Sequence, residues 1–185
     1  MRIISGNLKG KKLLFIRSSK TRPLKDSVKE NIFNILIHSK IINVSVERSK
    51  ILDFYSGIGS FGLECLSRNA KKVTFIENDI KAFSLLSKNL DKLSLKDKAI
   101  LFNDKIENVI HRLNSSYQIF FFDPPFRDKN FIKYLKTLKE RQLYSKNHIV
   151  IIHREKKSDE DLKKYLNFIS ERVYGRSKII FAKFN

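Results

Sequence analysis

Short apolar runs alternate along the chain with longer segments in which apolar residues recur every three or four positions. The runs are four or five residues long and lie at 51–55, 73–76, 99–102, 119–122 and 149–152. Runs of this length predict strands that are buried on both faces of a sheet, and the intervening spacing predicts helices. Strands that alternate with helices indicate a three-layer α/β domain with a mostly parallel sheet.

The helical spacing is clearest in residues 79–93, where Asp79 stands at the expected N-cap position. Further helices are predicted at 105–114, around Phe131, Leu135 and Leu138, and at 158–167. The two runs 168–173 and 178–184 flank a turn with a glycine, so they predict an antiparallel hairpin that ends the sheet.

The amino end departs from this alternation. Residues 1–20 predict two short strands joined by a turn-rich link at 7–10. A helix follows, and Ser27 and Glu30 have the spacing of a capping box, with Ser27 as the N-cap. We therefore expect a single domain, in which residues 1–40 extend a core formed by residues 50–185.

Composition and cysteine content indicate the cellular compartment of the protein. The chain has 185 residues, 42% of them hydrophobic, and no apolar run approaches the ~20 residues that cross a bilayer. One cysteine, Cys65, cannot form an internal disulfide, and the four histidines lack the spacing of metal ligands. We expect a cytoplasmic protein with no membrane segment and no metal site.

Net charge is the strongest bulk signal. The sequence has 38 Lys and Arg against 19 Asp and Glu, a net charge of +19, which favours a polyanionic partner such as nucleic acid. A coding bias towards Lys, Asn and Ile is the alternative explanation. The basic amino end can lie along a phosphate backbone, and its candidate RNA-binding residues are Lys9, Lys11, Lys12, Arg22, Lys25 and Lys29. A solvated arm without a specific partner is the alternative there.

One motif ends the fourth predicted strand. The run 119–122 stops at Asp123, Pro124 and Pro125, so a carboxylate lies where ligands bind in open parallel sheets. Each proline restricts the residue before it and lacks an N–H, which leaves a stiff cluster of acceptors beside Phe126. Such a cluster can hold the exocyclic amine of a flat heterocycle that stacks on the phenyl ring. A strand that simply ends in a Pro-Pro turn is the alternative.

A second motif begins at the first predicted strand. Asp53 precedes a turn with Gly57, Gly59 and Gly62, and Glu77 ends the next strand, 20 residues after Gly57. The glycines fit a dinucleotide fingerprint, and Glu77 fits a carboxylate that binds a ribose diol. Asp53 would repel a pyrophosphate but can bind an ammonium group. This order of acids therefore favours S-adenosylmethionine over a nicotinamide dinucleotide.

The third strand ends at Asn103 and Asp104. Asp104 is placed to accept a hydrogen bond from an adenine amine. An N-cap for the helix predicted at 105–114 is an equally good interpretation of this residue.

Together these motifs resemble the bacterial 16S ribosomal RNA guanine-N2 methyltransferases of the RsmD type. The similarity covers nearly the whole chain, and it is carried by the segments 1–6, 10–13, 22–23, 26–34, 53–68, 75–79 and 122–126. The combination is specific, although each piece alone is not.

The resemblance implies the class I methyltransferase fold, a seven-stranded sheet with an antiparallel hairpin at its end. It implies S-adenosylmethionine as the cofactor and 16S ribosomal RNA, within the small subunit or its assembly intermediate, as the partner. One small domain with short links indicates a monomer. The implied catalytic residues are Asp123, Pro124, Pro125 and Phe126. The implied cofactor-binding residues are Asp53, Tyr55, Gly57, Gly59, Glu77, Asn78, Asn103 and Asp104.

The chain departs from the family pattern at five positions. Leu24 and Lys25 stand where the family usually has two threonines, and Lys29 replaces a common arginine, which removes the bidentate fork. Ile58 replaces a small polar residue, and Lys105 replaces an alanine. None of these changes removes a reacting group, but those near residue 25 bear on the RNA contacts.

Three other functions remain open from the sequence. An adenine-N6 DNA methyltransferase uses a similar loop but usually carries a target-recognition region. A protein-glutamine methyltransferase has Asn-Pro-Pro-Tyr, where this chain has Asp and Phe. A non-enzymatic RNA-binding assembly factor would need the basic arm but not the three acids Asp53, Glu77 and Asp123.

Overall fold

The computed structural model describes residues 1–15 and 24–185. Within them seven strands form one sheet in the order β3-β2-β1-β4-β5-β7-β6. The strands are β1 Lys50–Phe54, β2 Lys72–Ile76, β3 Ala99–Phe102, β4 Tyr117–Phe122, β5 Tyr144–Glu155, β6 Leu166–Tyr174 and β7 Ser177–Phe184. The first five are parallel to one another, and β7 pairs antiparallel with β5 and β6. The predicted sheet and its final hairpin are confirmed.

The helices cover both faces of the sheet. They are α1 Asp26–His38, α2 Ser60–Ser67, α3 Ile80–Lys92, α4 Ile106–Val109 and α5 Phe131–Glu140, with 3₁₀ turns at Lys96–Lys98 and Ile110–Arg112. Alternate strand residues enter two separate cores: Ile51 and Phe121 pack with α1, α2 and α3, while Leu52 and Phe122 pack with α4 and α5. This two-sided burial explains the continuous apolar runs and confirms the three-layer class I fold.

The carboxyl ends of β1 to β4 meet at one edge of the sheet because these strands are parallel. The register pairs Phe54 with Ile76 and with Phe122, the last residues of their strands. Stacked rings fix the arrangement, since Phe54 and Phe122 lie 4.3 Å apart and Phe61 and Phe121 lie 4.0 Å apart between centroids. Residues that follow these strands are thereby brought to one end of the domain.

The N-terminal arm, residues 1–15, forms a turn that docks on α2. Its antiparallel pairing is a single bridge between Arg2 and Lys12, so the prediction of two strands is wrong for the described part. The arm uses its backbone differently: the amides of Ile4 and Ser5 donate to the Glu64 carboxylate at 2.7 and 2.9 Å. Bonds to α2 replace the bonds that a second strand would have made.

Two predicted helix details are also wrong. The N-cap of α1 is Lys25, which makes no side-chain cap bond, so Ser27 lies inside the helix. Residues 158–165 form no helix, because Glu160 turns inward to pair with Arg154 and the Ser158 carbonyl accepts from Lys178. By contrast, Asp79 caps α3 as predicted, accepting from the Ala82 amide at 2.8 Å.

Among the helices that the structure describes, none combines the length and the apolar character that a membrane span requires.

Candidate functional site

A cleft of about 210 Å³ opens at the carboxyl ends of β1, β2 and β3. Its lining comes from the residues that follow these strands and from the start of α5, and includes Tyr55, Glu77, Asn78, Asp104, Lys105, Glu107, Asp128 and Tyr134. Four of these side chains are carboxylates and one is a lysine. The cleft therefore attracts cations and hydrogen-bond donors more than anions.

The glycine turn after β1 adopts conformations that side chains disfavour. Gly57 and Gly59 have φ angles of 55° and 84°, and a side chain on Gly59 would lie 2.4 Å from Leu86. A side chain on Gly57 would meet no atom within 4 Å. Gly57 is therefore next to open space, which leaves room for a ligand beside the turn.

Glu77 joins this turn to the end of β2. Its two carboxylate oxygens accept from the amides of Gly57 at 2.7 Å and Asp79 at 2.8 Å. Burial raises the pKa of Glu77 above its ordinary value, although these amides oppose the shift. The carboxylate thus holds the turn and also faces the cleft.

Asp53 lies beneath the turn with 1% of its surface exposed. Its Oδ2 accepts from the Gly62 amide in the first turn of α2 at 3.0 Å. Burial raises the pKa of Asp53 well above its ordinary value, and the charges of Asp123 and Glu77 add to the shift. A cation bound here would lower the pKa of Asp53 towards its ordinary value, because it favours the charged carboxylate.

Two tyrosines on the cleft wall are fixed by carboxylates. Tyr55, which has a positive φ of 56°, donates to Asp128 at 2.8 Å, and Tyr134 donates to Glu107 at 2.8 Å. Burial, followed by the bond to Asp128, raises the pKa of Tyr55. Both phenols therefore remain protonated donors. Asp128, Glu107 and Tyr134 were not predicted, since no motif marks them.

The end of β3 supplies a third polar group. Asn103 donates to the Glu77 carbonyl at 2.9 Å, which ties β3 to β2. Asp104 accepts from the Lys105 amide and the Asn108 side chain, and the bond from Asn108 holds the pKa of Asp104 below its ordinary value. The N-cap of α4 is Lys105, so Asp104 is not that cap, and the helix is shorter than predicted.

The predicted catalytic loop, residues 123–126, follows β4 beside this cleft. Asp123 Oδ1 lies 2.8 Å from Nδ1 of His153, which is on the neighbouring strand β5. Phe126 is half-buried, and its ring meets the His153 ring edge-on at 6.1 Å between centroids. Asp123 and Phe126 thus contact the same histidine at the edge of the sheet.

Arg154 holds the same loop from the other face of β5. Its guanidinium donates to the carbonyls of Pro125 at 3.1 Å and Phe126 at 2.9 Å, and it pairs with Glu160. The group also lies 4.8 Å from the centre of the Phe131 ring. His153 and Arg154 were missed, although they follow the predicted strand 149–152 just as Asp123 follows 119–122.

The basic candidates divide into exposed and buried groups. Lys9, Lys11, Lys12 and Lys25 are exposed. Lys29 is fully buried: its ammonium donates to the Arg2 carbonyl at 2.9 Å and lies 3.8 Å from Glu64. Its predicted contact with RNA is therefore wrong, because the charge is used to attach the arm to α2. Arg22 lies outside the described residues.

Comparisons with known proteins agree with this architecture. The family profile described as Conserved hypothetical protein 95 matches residues 1–183. Ribosomal RNA small subunit methyltransferase D of Buchnera aphidicola subsp. Acyrthosiphon pisum is 34% identical, over 84% of this chain and 78% of its own. The protein of the same name from Haemophilus influenzae is 33% identical, over 84% and 79%.

Solved structures share the fold. The methyltransferase candidate yhhF from Escherichia coli has a TM-score of 0.83 and 26% identity, over 100% of this chain and 98% of its own. A Podospora anserina methyltransferase solved with SAH bound has a TM-score of 0.61 and 15% identity, over 74% and 72%, which shows a likeness of fold alone. The chain therefore belongs to the family described as Conserved hypothetical protein 95, together with the relatives named ribosomal RNA small subunit methyltransferase D, and the RsmD-type resemblance is confirmed.

Proposed function

We propose that this chain transfers a methyl group from S-adenosylmethionine to the exocyclic N2 of a guanine in the 16S ribosomal RNA of the small subunit. The observation that carries the proposal is the position of Asp123 and Pro124, at the end of β4 and beside an acidic cleft. The names of the relatives support the RNA substrate. The methyltransferase names of the same relatives support a methyl-donating cofactor.

The cleft fits S-adenosylmethionine better than a dinucleotide. Its carboxylates Glu77, Asp104, Glu107 and Asp128 would repel a pyrophosphate. They suit a ligand that offers an ammonium, a ribose diol and an adenine amine, since each of these groups donates hydrogen bonds. Gly57 leaves the space beside the turn in which such a ligand can lie.

Each predicted cofactor residue then has a role in the proposal. Asp53 binds the ammonium end, Glu77 accepts from the ribose hydroxyls, and Asp104 accepts from the adenine amine. The remaining contacts come from the turn and from the ends of the neighbouring strands, at Tyr55, Gly57, Gly59, Asn78 and Asn103. When bound, the cofactor supplies a methyl group on a positively charged sulfur.

The catalytic loop supplies the chemistry of the acceptor. A guanine amine is a poor nucleophile because its lone pair is delocalised into the ring. Asp123 Oδ2 and the Pro124 carbonyl accept its two N–H bonds, which draws the nitrogen towards tetrahedral geometry and directs the lone pair outwards. Asp123 takes the proton that the nitrogen releases once it carries the methyl group. Pro125 stiffens the loop, and Phe126 stacks on the flipped base.

The carbonyls of the loop differ in whether a protein group already donates to them. Pro125 accepts from Asp128 and Arg154, and Phe126 accepts from Arg154. Within residues 1–15 and 24–185, no donor reaches the Pro124 carbonyl. That carbonyl is therefore an acceptor without a protein donor, and the proposal assigns it to the substrate amine.

RNA binding is assigned to the exposed basic side chains of the arm and the start of α1. Lys9, Lys11, Lys12 and Lys25 would neutralise phosphates without reading sequence. The proposal includes a monomer in the cytoplasm that acts on the small subunit or its assembly intermediate. It excludes a membrane partner.

The test is methyl transfer to small ribosomal subunits from a strain that lacks this gene. Labelled S-adenosylmethionine is supplied, the RNA is digested, and the nucleosides are identified by mass spectrometry. N2-methylguanosine in 16S RNA is the expected product. N6-methyladenosine, methylated glutamine in protein, or no transfer by protein that binds the cofactor contradicts the proposal and selects one of the other functions.

A further inference from the structure

The carboxyl end of β5 presents two polar side chains to the catalytic loop from opposite faces of the sheet. Ile151 belongs to the core under α2, and Ile152 belongs to the core under α5. Because strand residues alternate, His153 and Arg154 continue these two faces. His153 contacts the carboxylate of Asp123, and Arg154 contacts the carbonyls of Pro125 and Phe126.

The contact between His153 and Asp123 shows which ring nitrogen of His153 donates the hydrogen bond. A carboxylate only accepts, so Nδ1 of His153 carries the hydrogen in the 2.8 Å bond to Oδ1. Nε2 is buried and has no partner among the described residues. The bond occupies Oδ1, so Oδ2 is the oxygen that can face a substrate amine.

Arg154 acts on the rest of the loop. Only 1% of its side chain is exposed, and the Glu160 carboxylate, 4% exposed, compensates its charge. Its fork donates to two consecutive carbonyls, which a single ammonium cannot do with the same geometry. These bonds turn the carbonyls of Pro125 and Phe126 towards the protein and leave the Pro124 carbonyl free of protein donors in the described residues.

We propose that His153 and Arg154 are positioning residues for methyl transfer, acting through Asp123 and Pro124. His153 sets the rotation of the Asp123 carboxylate, and Arg154 sets the carbonyl directions of the loop. The inference rests on the proposed function, and it adds two residues from β5 to a site otherwise formed by β1 to β4. We expect both to act on turnover, because their bonds go to residues 123–126.

The first test replaces His153 with Leu and with Asn. Leu removes the donor, so kcat falls by up to about 10²-fold, the scale of a misplaced reacting group, while KM for the subunit changes little. Asn offers an N–H near the position of Nδ1 and restores most of kcat. The affinity for S-adenosylhomocysteine, measured by calorimetry, stays within about twofold of wild type in both variants, since the bond that His153 makes is outside the cleft.

His148 provides the matched control on the same strand. It is buried, its Nδ1 lies 2.7 Å from the Ser145 carbonyl, and its Nε2 accepts from the Phe184 amide at 2.9 Å. His148→Leu lowers the melting temperature but leaves kcat of the folded enzyme unchanged. A His153→Leu variant that folds and keeps wild-type kcat overturns the inference, as does an equal loss of kcat in His148→Leu.

The second test replaces Arg154 with Lys, which keeps a charge beside Glu160 but loses the fork. We expect kcat to fall about tenfold, with a smaller drop in melting temperature than Arg154→Met shows. Wild-type kcat in Arg154→Lys overturns the role of the fork.

A measurement without turnover separates this inference from the proposed function. In ¹⁵N NMR of histidine-labelled protein, His153 should be the Nδ1–H tautomer, and Asp123→Ala should change its signals while those of His148 persist. A His153 protonated only at Nε2 overturns the geometry even if the enzyme is active. Wild-type protein that methylates no RNA overturns the proposed function and with it the role in turnover.

Discussion

The two halves of the site are held in place by different kinds of contacts. On the proposed cofactor side, the carboxylates of Asp53 and Glu77 accept from the backbone amides of Gly62, Gly57 and Asp79. On the proposed acceptor side, the Asp123 carboxylate is held by a side chain, His153, 30 residues further along the chain. The cofactor side therefore depends on the shape of a turn, and the acceptor side depends on the identity of residues on another strand.

This difference predicts that substitutions affect cofactor binding and turnover separately. A carboxylate fixed by backbone amides keeps its place when side chains around it change, so the cofactor side should tolerate substitutions outside its acids and glycines. The acceptor side has no such support, because its loop contains two prolines that donate no N–H. We expect changes on one side to alter the affinity for cofactor, and changes on the other to alter kcat.

The largest effect is expected from Asp123→Ala. Loss of the carboxylate removes the group that orients the amine and takes its proton, so kcat should fall by at least about 10²–10³-fold. Calorimetry should show an affinity for S-adenosylmethionine within about threefold of wild type. Asp123→Asn is the matched control for shape: its one oxygen still accepts from His153, which leaves an NH2 group facing the substrate amine, so kcat should fall about as far as in Asp123→Ala. Equal losses of affinity and of kcat in Asp123→Ala would erase the distinction between the two sides.

The converse effect is expected from Glu77→Gln. This change weakens charge-assisted bonds to the amides of Gly57 and Asp79 and to the proposed ribose, so the affinity for cofactor should fall about 10–100-fold. At saturating cofactor, kcat should remain within a few-fold of wild type. Steady-state kinetics over a range of cofactor concentrations measures both. An unchanged KM for cofactor with a reduced kcat is the contradictory result.

An intermediate effect is expected for RNA binding by the arm. Replacing Lys9, Lys11 and Lys12 with Gln should reduce the slope of log affinity against log salt by up to about 0.7–0.9 for each phosphate that is no longer neutralised. Lys29→Met is the control, because this lysine is buried. It should lower the free energy of unfolding and leave the salt slope unchanged. A normal slope in the triple variant, measured by filter binding, would assign the RNA surface elsewhere.

The smallest effect is expected at the cap of α3. Asp79→Ala removes the bond to the Ala82 amide, which should lower the free energy of unfolding by about 1 kcal/mol. Denaturant titration measures this change. Because the backbone amide of Asp79 still donates to Glu77, the affinity for cofactor should stay within about twofold. A large loss of cofactor affinity would mean that the cap, and not the amide, holds Glu77.

The sequence predicted the parts of the molecule that depend on local pattern. Two-sided burial produces the continuous run before Asp123, and the positive φ angles of Gly57 and Gly59 follow from the turn between β1 and α2. Asp79 is a cap because its side chain bonds within its own helix. Each of these features is set by residues close in sequence.

The remaining features depend on partners distant in sequence. Lys29 is charged and was therefore expected at the surface, yet it pairs with Glu64, 35 positions away, in the interior. The segment at 158–165 has helical spacing, yet the pairing of Glu160 with Arg154 holds it irregular. His153 gives no signal of its own, except that it follows a buried parallel strand as Asp123 does. Applying that rule to every strand end would have found it.

The most direct measurement is a crystal structure with bound S-adenosylmethionine. An amine bonded to Asp123 at about 3 Å and poised about 3–3.5 Å from the methyl carbon requires that carbon to lie within roughly 6.5 Å of Asp123 Oδ2. We predict this separation, with the ammonium end at Asp53 and the ribose at Glu77. A methyl carbon more than about 10 Å from Asp123, or a cofactor bound away from the turn at Gly57, would contradict the account.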